Sequence, residues 1–462
     1  MVLYHLDYAW YSIRSSQKNS PLNLLFISFV MLNSKNKLIG SFLVLTLLIG
    51  IPVWQDYLHG NFLFYFTLLL GPYILYVQQK EVASTRYAWA SILCGMGHLI
   101  LGINILYLSA ALFFVLFIIE WQYGKLNALS IYWIFILSPL TIFLFGVFSF
   151  PIRLELSRIA SGLLQFVQPN LTCQGNIIVL NGAEFSVDEA CMGLKMVSYS
   201  YLVFLVFIAH FEKKYQVILS KPFVIMLLSV GTLLILFANL IRIITIILFQ
   251  AMPDTILHEG IGLISWLAYV ILPSFWLIRF SICYFGKNYI IQSPKQLPVK
   301  SVLLVSTTAL VLLTLGSYQA LTKDKTPPKA TIPIQLKGFE KRIAKDGVVQ
   351  LRNEVALIYI KPSCAPYRAD HAPNICWKGS GYSFSKEQLR TIKNKTVLAA
   401  QLKKGEDILY TAWWYDNGLH QTTSQVEWRW NTLQGNGNYQ LMNVTVESPE
   451  LLDDYICLLM KQ

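Results

Sequence analysis

A cysteine, an arginine and a histidine are the residues of this sequence whose chemistry could combine. Cys191 stands where a mostly polar segment, 151–188, gives way to an apolar run long enough to cross a bilayer. A thiol at a helix N-terminus faces unpaired backbone N–H groups and the positive end of the helix dipole, which both favour the thiolate. The position therefore suits a nucleophile, although a lone cysteine is more often a small apolar residue packed between helices.

Arg242 and His258 are candidate partners of this thiol. Arg242 lies within a later apolar run, where a guanidinium usually faces a polar cavity or a partner, the alternative being snorkelling to the interface. His258 precedes the next apolar run, and histidine is the usual proton acceptor for a thiol, although a structural role is commoner for a lone interfacial histidine. Together the three could supply a nucleophile, a proton carrier and a charge that stabilises a thiolate or an oxyanion.

The composition places these residues in a membrane protein. The chain has 462 residues, of which 55% are hydrophobic and 13% charged, a balance typical of polytopic membrane proteins. The net charge of +12 comes from basic residues between the apolar runs, a pattern that indicates membrane topology and not nucleic-acid binding.

The apolar runs predict an all-α polytopic bundle of about eight or nine transmembrane helices. The predicted spans are 38–54, 61–79, 86–101, 103–121, 127–149, 193–211, 222–249, 260–284 and 301–320, of which the third and fourth could be one broken helix. The basic loops place segment 151–188 and everything after about residue 321 outside the cytoplasm. This topology puts Cys191, Arg242 and His258 on one side of the membrane, at similar depth on three successive spans.

Three regions are predicted to lie outside the helical bundle. Residues 1–37 form a cytoplasmic or interfacial segment, with a cleavable signal peptide as the alternative. Segment 151–188 is predicted as a surface helix followed by a hairpin that ends at Phe185. After the transmembrane domain at 38–320, a linker at 321–329 leads to a small soluble α/β domain at 330–462. The predicted strands of this domain are Val355–Ile360, Thr396–Gln401 and Ile408–Tyr415, and its predicted helices are Lys386–Ile392 and Ser448–Met460.

The sequence Glu189-Ala190-Cys191-Met192-Gly193-Leu194-Lys195, followed by Asn239-x-x-Arg242 and then His258, resembles the exosortase/archaeosortase family of membrane cysteine transpeptidases. The resemblance covers roughly residues 60–290. Met192 and Lys195 depart from the serine and the arginine that are usual in the family. The C-terminal region is similar to the exosortase-associated periplasmic domain, and the fused arrangement resembles the branch called exosortase N.

The resemblance implies a cysteine-dependent protease or transpeptidase of the bacterial inner membrane, multi-pass, with its C-terminal domain in the periplasm. Its expected substrates are exported proteins with a C-terminal sorting signal, and its expected acceptor is a membrane lipid or an envelope glycan. Cys191, Arg242 and His258 would be catalytic, and Glu189, Lys195 and Asn239 would bind substrate. No cofactor, metal or nucleic acid is expected. The alternatives are a membrane acyltransferase that uses His258 and a non-enzymatic scaffold that presents the C-terminal domain.

A second group of reactive residues lies in the C-terminal region. His371 and Cys376 could form another thiol site, whereas Cys364 and Cys376 could instead form a disulfide or remain structural thiols. A zinc site is disfavoured because Cys364, His371 and Cys376 lack the paired close spacing of zinc ligands.

Overall fold

The structure is a computed structural model, and it divides into two compact units. It describes residues 40–41, 44–46, 62–79, 84–138, 140–187, 194–252, 255–288, 297–322, 336–344, 347–362, 373, 377 and 381–460. The first unit comprises 1–59, 79–125 and 292–322, and the second comprises 60–78, 126–291 and 323–462. Two short strands, β1 (Val77–Gln79) and β2 (Lys125–Leu126), lie where the chain passes between the units.

Five helices in the described part of the chain are long and apolar enough to cross a membrane. They are Asn104–Tyr123, Met196–Tyr215, Lys221–Leu248, Ile256–Phe285 and Val299–Thr322. This number supports a multi-pass membrane protein, whereas the predicted count of eight or nine spans is not confirmed. The predicted span at 38–54 falls mostly outside the described residues. Three others correspond to helices of 13, 16 and 9 residues, Phe62–Ile74, Arg86–Leu101 and Leu129–Leu137, which are too short to qualify.

The first unit contains helices α2 (Arg86–Leu101), α3 (Asn104–Tyr123) and α10 (Val299–Thr322). Gly102 ends α2 with a φ of 66°, and its N–H donates to the carbonyl of His98. This left-handed cap, which glycine adopts at little cost, makes the third and fourth predicted spans two separate helices.

The second unit holds the remaining helices of the apolar region. In chain order they are α1 (Phe62–Ile74), α4 (Leu129–Leu137), α5 (Leu140–Gln165), α6 (Leu194–Tyr215), α7 (Lys221–Leu248), α8 (Ile256–Trp266) and α9 (Leu272–Phe285). A π-helical turn at Leu267–Ile271 joins α8 to α9. Strands β6 (Val217–Ile218) and β7 (Lys287–Asn288) pair, which brings the end of α6 beside the end of α9.

The segment before Cys191 differs in part from its prediction. The expected surface helix is not separate, because α5 continues through Pro151 to Gln165. A three-stranded antiparallel sheet follows, formed by β3 (Thr172–Gln174), β4 (Ile177–Leu180) and β5 (Ala183–Ser186). The predicted hairpin is therefore confirmed as β4–β5, with one further strand before it.

The C-terminal domain is built on one antiparallel sheet in the order β11-β12-β13-β15-β10-β9-β8, with β14 paired to β13. The strands are β8 (Glu340–Ile343), β9 (Val349–Arg352), β10 (Ala356–Pro362), β11 (Ser383–Ile392), β12 (Lys395–Lys404), β13 (Asp407–Asp416), β14 (Gln421–Thr422) and β15 (Gln440–Val446). Helices α11 (Gln425–Leu433) and α12 (Pro449–Leu459) complete the domain. Three predicted strands and the last predicted helix are confirmed. The predicted helix Lys386–Ile392 is wrong, because these residues lie in β11.

The central strand β13 is covered on both faces, and because side chains alternate along a strand, its neighbouring residues point to two different cores. On β13, Trp414 points to the core that includes Ile456 of α12. Its neighbours Trp413 and Tyr415 point to the opposite core, which includes Trp428 of α11. The continuous apolar character of β13 therefore reflects burial between two layers.

Candidate functional site

Helix α7 positions Asn239 and Arg242 on one buried face. The two residues are three positions apart, so their side chains project from the same side of the helix. Each is only 8% exposed. Burial at this level disfavours the snorkelling interpretation of Arg242 and favours a guanidinium held by protein groups.

His258 lies in the first turn of α8 and contacts Arg242. Its Nε2 is 3.3 Å from Nη2 of Arg242, and its Nδ1 is 3.4 Å from the carbonyl oxygen of Ala251. A guanidinium can only donate, so Nε2 must accept this hydrogen bond. The two contacts therefore fit the tautomer in which Nδ1 carries the proton and donates to the Ala251 carbonyl.

The turn before α8 fixes the position of His258. Thr255 is the N-cap residue, and its Oγ1 accepts a hydrogen bond of 3.2 Å from the N–H of His258. The same hydroxyl donates to the carbonyl of Met252 at 2.7 Å. Threonine is a favoured N-cap because its oxygen satisfies an N–H group that the helix leaves unpaired.

A glycine leaves the room that the guanidinium occupies. A Cβ atom on Gly262 would lie 3.0 Å from Nε and 3.1 Å from Cζ of Arg242. Gly262 is one helical turn after His258, so these two residues face the same partner. Sequence reasoning missed Gly262, and its spacing from His258 on the helix is the signal that could have identified it.

A small cavity of about 20 Å³ lies beside Arg242, large enough for one water-sized group. It is lined by Met196, Ile235, Ala238, Asn239, Arg242, Gly262, Ser265, Trp266 and Val270. The Nδ2 atom of Asn239 is buried and has no hydrogen-bond partner among the described residues. Because buried amide donors are nearly always paired, this atom indicates a place for a polar group that is not among the described residues.

A hydrogen-bond chain connects the cavity to the start of α6. Trp266 Nε1 donates to Ser200 Oγ at 2.8 Å, and Ser200 Oγ donates to the carbonyl of Met196 at 2.6 Å. Met196 lines the cavity and lies five positions after Cys191. A residue of the cavity lining is therefore separated from Cys191 by only five positions in the sequence.

The structure brings together three of the predicted site residues, Asn239, Arg242 and His258. Glu189 and Cys191 lie outside the described residues, as do His371, Cys376 and Cys364. Lys195 lies in the first turn of α6, where the structure describes its backbone but not its side chain.

The fold and the site define a class of protein. It is a multi-pass membrane protein with a buried arginine–histidine pair beside a cavity. Residues 53–275 match the family described as transmembrane exosortase, and this range contains Cys191, Arg242 and His258. Over this region the chain belongs to the transmembrane exosortase family, as its motifs predicted. The match ends before the C-terminal domain, so the relationship of that domain to exosortase-associated domains stays a prediction. No curated protein and no solved structure matches the chain.

Proposed function

We propose that the chain is a membrane cysteine protease and transpeptidase that cleaves the C-terminal sorting signal of exported proteins. The cleaved protein passes to an acceptor in the envelope, a membrane lipid or a glycan. The observation that carries this proposal is the buried contact between Arg242 and His258, 3.3 Å long, beside a cavity lined by Met196, which lies five positions after Cys191 in the sequence. A protein of the exosortase family with this pair has the groups that thiol-based acyl transfer needs.

In the first step, the Sγ–H proton of Cys191 moves to Nε2 of His258. The imidazolium can no longer accept from Arg242, and the guanidinium donates to the new anion instead. The thiolate attacks the scissile carbonyl, and Arg242 stabilises the oxyanion of the tetrahedral intermediate.

In the second step, the C–N bond of the tetrahedral intermediate breaks. The departing amine takes the proton from His258 Nε2, and a thioester to Cys191 remains. A hydroxyl or amine of the acceptor then attacks the thioester, losing its proton to His258. The C–S bond breaks, the new ester or amide leaves, and the returned proton restores the thiol.

Asn239, Glu189 and Lys195 are the proposed substrate-binding residues. The buried Nδ2 of Asn239 lines the cavity and is suited to donate to a carbonyl of the substrate. Glu189 and Lys195 flank Cys191 at two and four positions, so their charges are available to the segment around the cleaved bond.

We place the chain in the bacterial inner membrane, with segment 151–188 and the domain at 330–462 in the periplasm. Two contacts support this topology. Glu387 of the C-terminal domain bonds to Arg153 and Asn176, so both regions lie on one side of the membrane. The pairing of β6 with β7 likewise supports one side of the membrane for Lys213 and Lys214, at the end of α6, and Lys287 of β7. Within the periplasmic domain, His371 and Cys376 remain a proposed secondary site.

Processing of a membrane-tethered substrate with a C-terminal sorting signal tests this function. Cys191→Ala should abolish cleavage and should also abolish labelling by a thiol-reactive probe at that position. Cys283→Ala is the matched control, because Cys283 is an exposed cysteine of α9. Cleavage should continue unchanged in this control.

Other outcomes would favour the alternatives. Full processing by Cys191→Ala would support a scaffold, whereas loss in His258→Ala but not in Cys191→Ala would support an acyltransferase. Trapping a covalent adduct on Cys191 in His258→Ala, and identifying the attached peptide, would define the substrate.

A further inference from the structure

A buried ion pair joins the apolar region of the second unit to the C-terminal domain. Arg153 Nη2 lies 3.1 Å from Glu387 Oε2, and the two side chains are only 4% and 7% exposed. Arg153 belongs to α5 and Glu387 to β11. Since burying two charges costs as much as their attraction returns, such a pair is weak support for stability and better suited to fixing one arrangement.

The backbone of β11 is shaped to present Glu387 at this contact. The register between β11 and β12 shifts between Ser385 and Gln388, which marks a β-bulge. Lys386 within it has a φ of 52°, a left-handed conformation that is uncommon for a residue other than glycine. Bulges redirect side chains, and strained residues cluster where a structure requires a particular geometry.

Asn176 binds the backbone of Glu387 through two hydrogen bonds. Its N–H donates to the Glu387 carbonyl at 3.2 Å, and its Oδ1 accepts from the Glu387 N–H at 3.0 Å. The preceding residue, Gly175, has a φ of 62°, and a Cβ there would lie 2.0 Å from the Glu387 carbonyl oxygen. The close approach of the two backbones therefore requires glycine at this position.

The same asparagine also holds the chain that leads to Cys191. The Asn176 carbonyl accepts from the N–H of Val187 at 2.8 Å, and its Nδ2 donates to the Val187 carbonyl at 3.5 Å. Val187 is four positions before Cys191. One side chain thus connects β11 of the C-terminal domain with the segment that carries the proposed nucleophile.

Two aromatic contacts reinforce the interface. Phe150 of α5 packs against the core of the C-terminal domain that contains Trp413 and Trp428. The Arg429 guanidinium lies 5.5 Å from the ring centroid of Phe143, also on α5. The C-terminal domain therefore contacts α5 through several residues and not only through Glu387.

We propose that Arg153, Asn176 and Glu387 form a latch through which the C-terminal domain positions Cys191 for reaction. These three are positioning residues, because they act through Val187 and not on the substrate. The inference rests on the proposed function in that Cys191 is taken as the nucleophile. Its consequence is that the C-terminal domain is a required part of the active protein and not a passive attachment.

The test compares latch variants with controls in the full-length protein in native membranes. The latch variants are Arg153→Met, Asn176→Ala and Glu387→Gln. The controls are Arg158→Met, which removes an exposed charge from the same helix, and Lys395→Met, which removes an exposed charge from β12, the strand paired with β11. Processing of the tethered substrate and the pH profile of Cys191 alkylation are measured for each.

We expect each latch variant to slow processing by roughly 10²-fold, the effect of a displacement of ~1 Å at a reacting group. The pH profile of Cys191 alkylation should shift as well, which lost stability alone would not cause. The controls should match the wild type in both measurements. Combining Arg153→Glu with Glu387→Arg should recover more activity than either change alone, because the pair is restored with reversed charges.

Wild-type processing and an unchanged alkylation profile in all three latch variants would overturn the inference. So would equal losses in the latch variants and the controls. The alkylation profile reports on the position of Cys191 whether or not the chain is a protease. Full processing by Cys191→Ala would therefore contradict the proposed function. The alkylation profiles of the latch variants would still show whether the latch positions Cys191.

Discussion

Nη2 of Arg242 lies 3.3 Å from Nε2 of His258, and this contact links α7 to the first turn of α8. The guanidinium has no acceptor atom, so Nε2 of the imidazole is the acceptor in this contact. The arrangement leaves Nε2 of His258 able to accept a proton and holds a positive charge beside it. In the proposed reaction, both properties are needed at once.

Replacing Arg242 tests the role of this charge. Arg242→Ala should lower processing by about 10²–10³-fold, the usual cost of removing one donor that stabilises an oxyanion. Arg242→Lys keeps the charge but loses the planar fork that donates to His258, so activity should also fall heavily. Processing is measured at matched expression, and a near wild-type rate in Arg242→Ala would make Arg242 a structural residue.

Gly262 should be intolerant of even one methyl group. The Cβ of Gly262→Ala would meet Nε of Arg242 at 3.0 Å, so the guanidinium must shift by a few tenths of an ångström, which we expect to disturb its contact with His258. We expect a loss of processing close to that of Arg242→Lys. The measurement is the processing rate in membranes that contain equal amounts of each variant.

Gly260 supplies the matched control for this prediction. It lies two positions earlier in the same helix, and a Cβ there would have no neighbour within 4 Å. Gly260→Ala should leave processing unchanged and should stabilise the helix by up to about 1 kcal/mol, because alanine is the better helix former. Equal activities of Gly260→Ala and Gly262→Ala would show that the close approach to Arg242 does not matter.

Asn239 should contribute more to substrate binding than to stability. Its buried Nδ2 has no partner in the described part of the chain, so Asn239→Leu removes an unsatisfied donor and should leave the unfolding temperature unchanged or raise it. The same variant should raise KM for the tethered substrate, because the donor is lost. A lower unfolding temperature with unchanged KM would assign Asn239 a purely structural role.

The helices around the site could be predicted from the sequence because long apolar runs report membrane spans directly. The pairing of Arg242 with His258 followed from topology. The contact of Gly262 with Arg242 could not be predicted, since a glycine carries no chemical signal of its own. β11 was predicted wrongly as a helix because Lys386, Glu387 and Gln388 are good helix formers, whereas pairing with β12 decides the structure. The bond from Arg153 to Glu387 joins residues far apart in sequence, so no local pattern contains it.

Thr255 should control the reactivity of His258 without touching the substrate. Its Oγ1 accepts from the His258 N–H at 3.2 Å and thereby fixes the first turn of α8. Thr255→Val keeps the shape of the side chain but removes the acceptor, which should cost about 1 kcal/mol of helix stability. It should also loosen the contact with Arg242, so the processing rate should fall. Thr255→Ser retains the hydroxyl and should keep both stability and rate. The decisive measurement is the pH dependence of processing. If Thr255 positions His258, the pH profile of Thr255→Val differs from that of the wild type. If Thr255 only stabilises the helix, the variant has less folded protein but an unchanged pH profile. An unaltered rate and profile in Thr255→Val would mean that the contact between His258 and Arg242 is held in place by other residues.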